Sequence, residues 1–375
     1  MMFTRRQALQ LGVGATAAAS SVAIANSLSK QSQLDLTDVG NASLRERAAA
    51  KGILYGAAIE WAELSDSGFN QQILQECNIL VAENEFKFGR MRPSLDRFDF
   101  TASDRLLGFA RRHSIPMRGH TLVWHLALPD WFEEQVNRRN AEQVLTNHIQ
   151  TVAGRYRGQI HSWDVVNEAI EPSDGRRDRL RRTPWLERLG DGYIELAFQA
   201  AAAADPEGML VYNELGLEGN HSDAETRRRK VVELLAGLID NGVPVHALGI
   251  QSHLTGGADY GQFEHLRPFL SDVASLGLQI LVTELDVSDQ HLPADLQERD
   301  RQIATLYHDY LAVLLDEAAV IAVLTWGLSD RYTWLSSHAP RQDGNAVRPL
   351  PLDDQLNRKQ AWNAIARALD QAPPR

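Results

Sequence analysis

The chain has 375 residues, of which 44% are hydrophobic and 23% charged, as is ordinary for a globular protein. Its formal net charge of -11 at pH 7 excludes general nucleic-acid or anionic-membrane binding as a favoured function. The single cysteine, Cys77, permits no internal disulfide. The length suits one large domain or two small ones.

Residues 1–25 have the order of an export signal. Arg5 and Arg6 precede an apolar, alanine-rich run that extends to Ala19, and Ala23-Ile24-Ala25 provides small residues for cleavage. The arginine pair is typical of the twin-arginine type. A membrane anchor is the alternative, but the run is too short and too weakly hydrophobic to favour it. We therefore expect a bacterial periplasmic or secreted protein with no membrane association after signal removal.

Residues 26–43 are polar and irregular, and we interpret them as a spacer. Beyond them the sequence contains no Ser/Thr/Pro-rich linker, no long low-complexity segment and no repeat of fixed period. The sequence therefore predicts a single catalytic domain over residues 44–371.

Apolar runs and helical segments alternate along this domain. The runs predict strands at Ile53–Ile59, Ile79–Ala82, Met117–Trp124, Ser162–Val166, Met209–Tyr212, Ala247–Ile250, Gln279–Val282 and Val320–Trp326. Helical spacing occurs at Asp104–His113, Ala141–Tyr156, Gly192–Ala204, Ala224–Ile239 and Arg299–Leu315. This order predicts an α/β fold, a (β/α)8 TIM barrel. A doubly wound open sheet is the alternative, but Gly56-Ala57-Ala58 lacks the spacing of a dinucleotide-binding turn.

Functional side chains of such a barrel lie where the strands end. Polar or aromatic residues stand at or just after the ends of most predicted strands, as expected if they line one pocket. They are Glu83, Asn84, Lys87, His120, Trp124, Asn167, Glu168, Gln251, His253, Glu284, Asp286 and Trp326.

Two of these residues, Glu168 and Glu284, lie on different strands and suggest catalysis by a pair of carboxyl groups. For Glu168 alone, a buried structural charge satisfied by a neighbouring arginine is the alternative interpretation. Two carboxyl groups in one cleft can cleave a glycosidic bond, one protonating the leaving oxygen and the other attacking or activating water. The second carboxylate must stay ionised; His253 is a candidate donor to Glu284, and Asp286 could hold the far nitrogen of that ring.

Several segments together resemble family 10 glycoside hydrolases, the endo-β-1,4-xylanases. The segments are Gly119–His125, Trp163–Glu168, Gly249–His253 and Thr283–Asp286, with Glu83-Asn84-x-x-Lys87, Thr325–Gly327, Asp330, Trp334 and Leu350–Trp362 in the same order. The resemblance covers essentially the whole predicted domain.

The resemblance implies a retaining enzyme that hydrolyses internal bonds of xylan or xylo-oligosaccharides. Glu168 matches the acid/base and Glu284 the nucleophile, with carboxyl groups about 5–5.5 Å apart. Asn167 matches the amide that contacts the 2-hydroxyl of the reacting sugar, while His253 and Asp286 match the pair that orients the nucleophile. The positions that match sugar-binding residues are Glu83, Asn84, Lys87, His120, Trp124, Gln251, Trp326 and Trp334. No metal or organic cofactor is implied, and we expect a monomer.

The sequence departs from the family at several subsite positions. Leu126 and Ala127 stand where a small polar residue and a glutamine are usual. Leu215 and Gly216 replace an aromatic residue and an amide, and Leu335 replaces an arginine. We therefore expect altered chain recognition, with a preference for short or decorated xylan fragments.

Other interpretations were weighed at the same positions. His120 and His125 are not favoured as a metal site, because their odd spacing on a strand directs them to opposite faces. The arginine run 176–182 could bind acidic substituents of xylan, but a solvated loop is favoured. Hydrolysis of another β-1,4-glycan, transglycosylation and non-hydrolytic glycan binding remain the alternative functions.

Overall fold

The computed structural model describes residues 39–375. The predicted export signal and residues 26–38 of the predicted spacer lie outside this range. Within residues 39–375, none of the helices combines the length and the apolar character needed to cross a membrane.

Parallel strands close into a barrel that positions every residue of the site. The strands are β1 (Leu54–Ile59), β2 (Ile79–Ala82), β3 (Met117–Val123), β4 (Ser162–Asn167), β5 (Met209–Glu214), β6 (Ala247–Ile250), β7 (His253–Thr255), β8 (Gln279–Ser288) and β9 (Val320–Thr325). Each of β1 to β5 pairs with the strand that follows it, β6 pairs with β8, and β9 pairs with both β8 and β1. The short β7 pairs only with the end of β8. The (β/α)8 barrel is therefore confirmed, and the open sheet is excluded.

Helices connect the strands and cover the outside of the barrel. They are α1 (Leu44–Ala49), α2 (Ser67–Glu76), α3 (Phe88–Met91), α4 (Thr101–Arg112), α5 (Trp131–Gln135), α6 (Ala141–Arg155), α7 (Pro184–Leu189), α8 (Tyr193–Ala204), α9 (Ser222–Asp240), α10 (Leu266–Ser275), α11 (Leu296–Leu314), α12 (Leu335–His338) and α13 (Gln360–Gln371). Short 3-10 turns lie at Trp61–Ser65, Pro172–Asp174, Gly261–Phe263 and Asp330–Tyr332.

Three of the longer helices begin two or three residues earlier than their apolar periodicity predicts. Helix α11 begins at Leu296 instead of Arg299 because the Asp295 side chain accepts a hydrogen bond from the Glu298 amide. A carboxylate at this position satisfies one of the free amides of the first turn. Helix α4 begins at Thr101, three residues before the predicted start.

Apolar side chains fill the interior of the barrel beneath the site. The buried cluster consists of Ala58, Ile79, Val81, Val211, Ala247, Leu281, Ala322, Leu324 and Trp326. Because such an interior is packed as densely as a crystal, the strand ends above it are held rigidly. Trp326 belongs both to this cluster and to the site.

Candidate active site

The two glutamates lie at the carboxyl end of the barrel, on strands that are not neighbours. Glu168 directly follows β4 and Glu284 lies within β8. Both are nearly enclosed, with 7% and 5% of their surface exposed. Burial of a carboxyl group costs free energy unless hydrogen-bond donors surround it, so the donors define the role of each glutamate.

Donors surround the carboxylate of Glu284. Asn213 Nδ2 donates to Oε1 at 2.7 Å, and His253 Nε2 lies 3.2 Å from Oε2. His120 Nδ1 lies 3.9 Å from Oε1. Burial by itself would raise the pKa of Glu284, but His120, His253 and Asn213 outweigh it and lower the pKa to about 2. Glu284 is therefore held as an anion, as a nucleophile requires.

A second carboxylate holds the histidine that faces Glu284. His253 Nδ1 lies 2.9 Å from Asp286 Oδ1, so the ring is placed between two carboxylates. Burial opposes protonation of the ring, but Asp286 and Glu284 together raise the pKa of His253 well above its usual value. Trp334 Nε1 donates to the other oxygen of Asp286 at 2.7 Å. Both hydrogen bonds expected for His253 are present. Trp334 adds a further hydrogen bond to the series that runs from Glu284 through His253 to Asp286.

Side-chain amides face Glu168. Its Oε1 accepts from Asn167 Nδ2 at 3.2 Å and from Gln251 Nε2 at 3.0 Å. The backbone of Glu168 has a positive φ of 59°, which costs free energy in a residue with a Cβ and occurs mainly at functional sites. The Glu168 amide donates to the Asn213 carbonyl at 2.9 Å, which helps to hold this conformation.

Asn213 connects the two glutamates and was missed in the sequence. The same Nδ2 that donates to Glu284 donates to Asn167 Oδ1 at 2.9 Å, while Thr283 Oγ1 donates to Asn213 Oδ1 at 2.8 Å. A Cβ on Gly249 would stand 2.2 Å from this Oδ1, so only glycine leaves room for the amide. Asn213 lies on β5 beside the departures at 215 and 216, a strand from which no site residue was predicted.

We expect Asn213→Ala to shift the acid limb of kcat/KM toward higher pH and to lower its maximum about tenfold. In the role expected for Glu284, a nucleophile must be ionised to attack, and losing a hydrogen-bond donor raises the pKa of the carboxyl group and weakens its placement. A pH profile on an aryl xyloside measures both effects. Thr283→Val, which removes a contact to Asn213 but none to Glu284, should shift the limb less. Superimposable profiles for Asn213→Ala and the unsubstituted enzyme would refute this role.

Residues expected to bind sugar line one side of the site. Lys87 Nζ donates to Asn84 Oδ1 at 2.9 Å, and Asn84 in turn donates to Glu60. The Lys87 ammonium lies 5.3 Å from the ring centre of Trp124 and 5.9 Å from that of Trp326. Hydrogen-bonding groups next to aromatic faces suit a pyranose ring, which has polar edges and apolar faces.

Glu83 and His120 complete this side. Burial raises the pKa of Glu83 to about 7, with Lys87 acting in the opposite direction. His120 Nδ1 lies 2.9 Å from Oδ2 of Asp164, which is fully buried and ion-paired with Arg118. Asp164 therefore fixes the orientation of His120, and no sequence pattern had singled it out.

Arg181 is not in the solvated position predicted for the arginine run. Its Nε donates to the carbonyl oxygen of Glu168 at 2.8 Å, and its guanidinium pairs with Glu171 at 3.1 Å. Only 15% of its side chain is exposed. Other members of the run follow the prediction more closely, as in the exposed pair Arg176–Asp178. The loop thus places one arginine against the backbone of the candidate acid.

A (β/α)8 barrel with one anionic and one amide-bound glutamate at its carboxyl end defines the class: the fold and site are those of a glycoside hydrolase. Residues 43–368 match the sequence profile of glycosyl hydrolase family 10. The chain belongs to this family.

Individual relatives agree with this assignment. Endo-1,4-beta-xylanase B of Paenibacillus barcinonensis is 36% identical over 332 residues, which cover 84% of this chain and 96% of the relative. The native structure of xylanase 10B from Thermotoga maritima superposes with a TM-score of 0.79 at 33% identity, covering 88% of this chain and 98% of the other. Xylanase 10B of Thermotoga petrophila in complex with xylobiose also gives a TM-score of 0.79, at 32% identity and 89% and 99% coverage.

Proposed function

We propose that the protein is a retaining endo-β-1,4-xylanase that hydrolyses internal bonds of xylan or xylo-oligosaccharides. The observation that carries the proposal is the set of donors that keeps Glu284 ionised inside a buried site. A carboxylate that is buried and anionic is suited to attack a sugar, and Glu168 is a second buried carboxyl group at the same end of the barrel. The similarity to xylanases supplies the substrate class.

In the first step, the Glu284 carboxylate attacks the anomeric carbon and forms a covalent glycosyl ester. The glycosidic C–O bond breaks, and Glu168 transfers its proton to the departing oxygen. In the second step, Glu168 takes a proton from water, whose oxygen attacks the same carbon and releases Glu284 as a carboxylate. Two inversions leave the anomeric configuration unchanged. Asn167 contacts the 2-hydroxyl, and His253 with Asp286 keeps Glu284 oriented throughout.

The remaining predicted residues bind sugars on the non-reducing side of the cleaved bond. Lys87, Asn84 and Glu83 exchange hydrogen bonds with hydroxyl groups, while His120 and Gln251 border the reacting sugar. Trp124, Trp326 and Trp334 offer flat apolar faces to the rings. The contacts of these three tryptophans with Lys87, His253 and Asp286 support their assignment to sugar binding.

Product analysis on soluble xylan, xylo-oligosaccharides and cello-oligosaccharides tests the substrate class. We expect short xylo-oligosaccharides from internal cleavage and a kcat/KM on xylohexaose at least about tenfold above that on cellohexaose, since one extra or missing group in a pocket is worth roughly this much. Equal rates on both chains would favour a general β-1,4-glycanase. Binding of both chains without cleavage would favour the glycan-binding alternative, and longer products at high sugar concentration would favour transglycosylation.

We also propose that residues 44–371 form the catalytic domain of an exported, monomeric protein. The twin-arginine pattern of residues 1–25 supports export. N-terminal sequencing of protein purified from its host tests this point. A chain that retains Met1 and remains in the cytosol would contradict it.

A further inference from the structure

A cavity of about 560 Å³ opens beside the sugar-binding side of the site. Lys87 and Asn84, which we assign to sugar binding, form one of its edges. The rest of the wall includes Gly89, Arg90, Ala127, Leu128, Pro129 and Asp130. The volume is ample for one monosaccharide unit, and the cavity is continuous with the proposed path of the chain.

The apolar wall of this cavity is fixed in place. The amide of Gly89 donates to the carbonyl oxygen of Ala127 at 2.8 Å, which joins helix α3 to the loop 127–129. A Cβ on Gly89 would stand only 3.0 Å from this oxygen, so the close approach depends on glycine. The short side chain of Ala127 leaves the adjoining space open. The wall therefore offers a rigid apolar surface.

The charge of Arg90 is not neutralised by the described part of the chain. Within residues 39–375, the Arg90 guanidinium has no hydrogen bond or ion pair, and Arg90 is an exposed residue that lines the cavity. Lys87 is a second cation at the edge of the wall, but its charge interacts with Glu284 and Glu83 of the site. Asp130 is the one carboxylate among the described residues of the wall. A free guanidinium in a wall that also has apolar residues suits a ligand with a carboxylate and an apolar face.

Arg90 also borders a neighbouring cavity of about 290 Å³ that contains acidic residues. These carboxylates are already engaged locally. Glu85 accepts from the Trp61 amide at 2.6 Å, and Asp99 accepts from the Thr101 amide at 2.9 Å. The presence of Arg90 at this position is therefore not explained by an ion pair with a neighbouring carboxylate.

We propose that this cavity binds a uronic acid branch of a substituted xylan. The carboxylate of the branch pairs with Arg90, and its sugar ring packs against Ala127, Leu128 and Pro129. The inference rests on the proposed xylanase function and specifies its substrate as acidic, branched chains. It also gives a physical meaning to Ala127, a departure from the family at the edge of the site.

Three xylo-oligosaccharides of equal length test the proposal: one linear, one with a glucuronosyl branch on the non-reducing xylose, and one with a neutral arabinofuranosyl branch there. We expect Arg90→Gln to lower kcat/KM about tenfold on the uronosyl substrate, because a charge-assisted hydrogen bond is lost. Its values on the linear and neutral branched substrates should stay within about twofold. Arg105→Gln, which removes an equal charge from the neighbouring cavity only, should leave all three unchanged.

Ala127→Gln provides the complementary test by filling the cavity without altering its charge. We expect it to lower kcat/KM on both branched substrates relative to the linear one. Equal effects of Arg90→Gln on all three substrates, or none on the uronosyl substrate, would overturn the inference while leaving the xylanase proposal intact. Failure of the folded, unsubstituted enzyme to cleave even the linear substrate would instead overturn the proposed function, and the inference with it.

Discussion

Glu284→Ala is expected to lower kcat/KM on xylan by about four orders of magnitude or more, since removing a covalent nucleophile leaves only binding and electrostatic catalysis. The fold should persist, because His253 keeps Asp286 as its charged partner and the apolar interior of the barrel is unchanged. Steady-state kinetics together with circular dichroism measure the two effects. Glu233→Ala, which alters an exposed glutamate on α9, is the matched control.

The same variant permits a chemical rescue. Truncation of Glu284 leaves space where a small anion such as azide can attack the anomeric carbon of an activated aryl xyloside. The donors Asn213 and His253, which held the carboxylate, remain to receive the anion. We expect azide to restore turnover and to give a glycosyl azide of inverted configuration, since only one displacement takes place. Full xylanase activity of Glu284→Ala without azide would remove this residue from the mechanism.

The loss of activity in Glu168→Ala is expected to depend on the leaving group of the substrate. On unactivated xylo-oligosaccharides the loss in kcat/KM should be about 10²–10⁴-fold, the usual contribution of a general acid. On aryl xylosides with strongly acidic phenols the loss in kcat/KM should be much smaller, because these leaving groups depart without protonation. Hydrolysis of the covalent intermediate should still be slow, so a rapid burst of released phenol should precede a slow steady state.

Stopped-flow measurement of phenol release tests the predicted burst, and steady-state kinetics on both substrate types test the dependence on the leaving group. Arg181→Gln is an informative comparison, since Arg181 touches only the backbone carbonyl of Glu168 and leaves the carboxyl group in place. Because it acts by misplacing the acid, it should lower kcat/KM on unactivated substrates more than on activated ones, and by less than Glu168→Ala does. If Glu168→Ala lowered kcat/KM equally on activated and unactivated substrates, its assignment as acid/base would be wrong.

The alternation of apolar runs and helical segments predicted the barrel, because each signal is local. A buried parallel strand such as Ile79–Ala82 appears in sequence as a continuous apolar run. The positions of Glu168, Glu284, His253 and Asp286 followed from the rule that strand ends meet at one end of a barrel. Helix starts were less accurate, since the Asp295 cap lies outside the apolar repeat that marked α11.

What the sequence did not show depends on contacts between distant segments. Asn213 reaches Glu284, 71 residues away in sequence, through a gap left by Gly249. Arg181 resembled its solvated neighbours until the loop placed it against Glu168. Neither contact has a spacing or a periodicity that a sequence pattern could reveal.

Proton NMR of the first-formed products tests the central claim, the double displacement through Glu284 and Glu168. Hydrolysis of a xylo-oligosaccharide is followed within the first minutes, before the anomers equilibrate by mutarotation. The account predicts that the β-anomer appears first and that the α-anomer follows only at the rate of mutarotation. Initial appearance of the α-anomer would show a single displacement by water and would contradict the account.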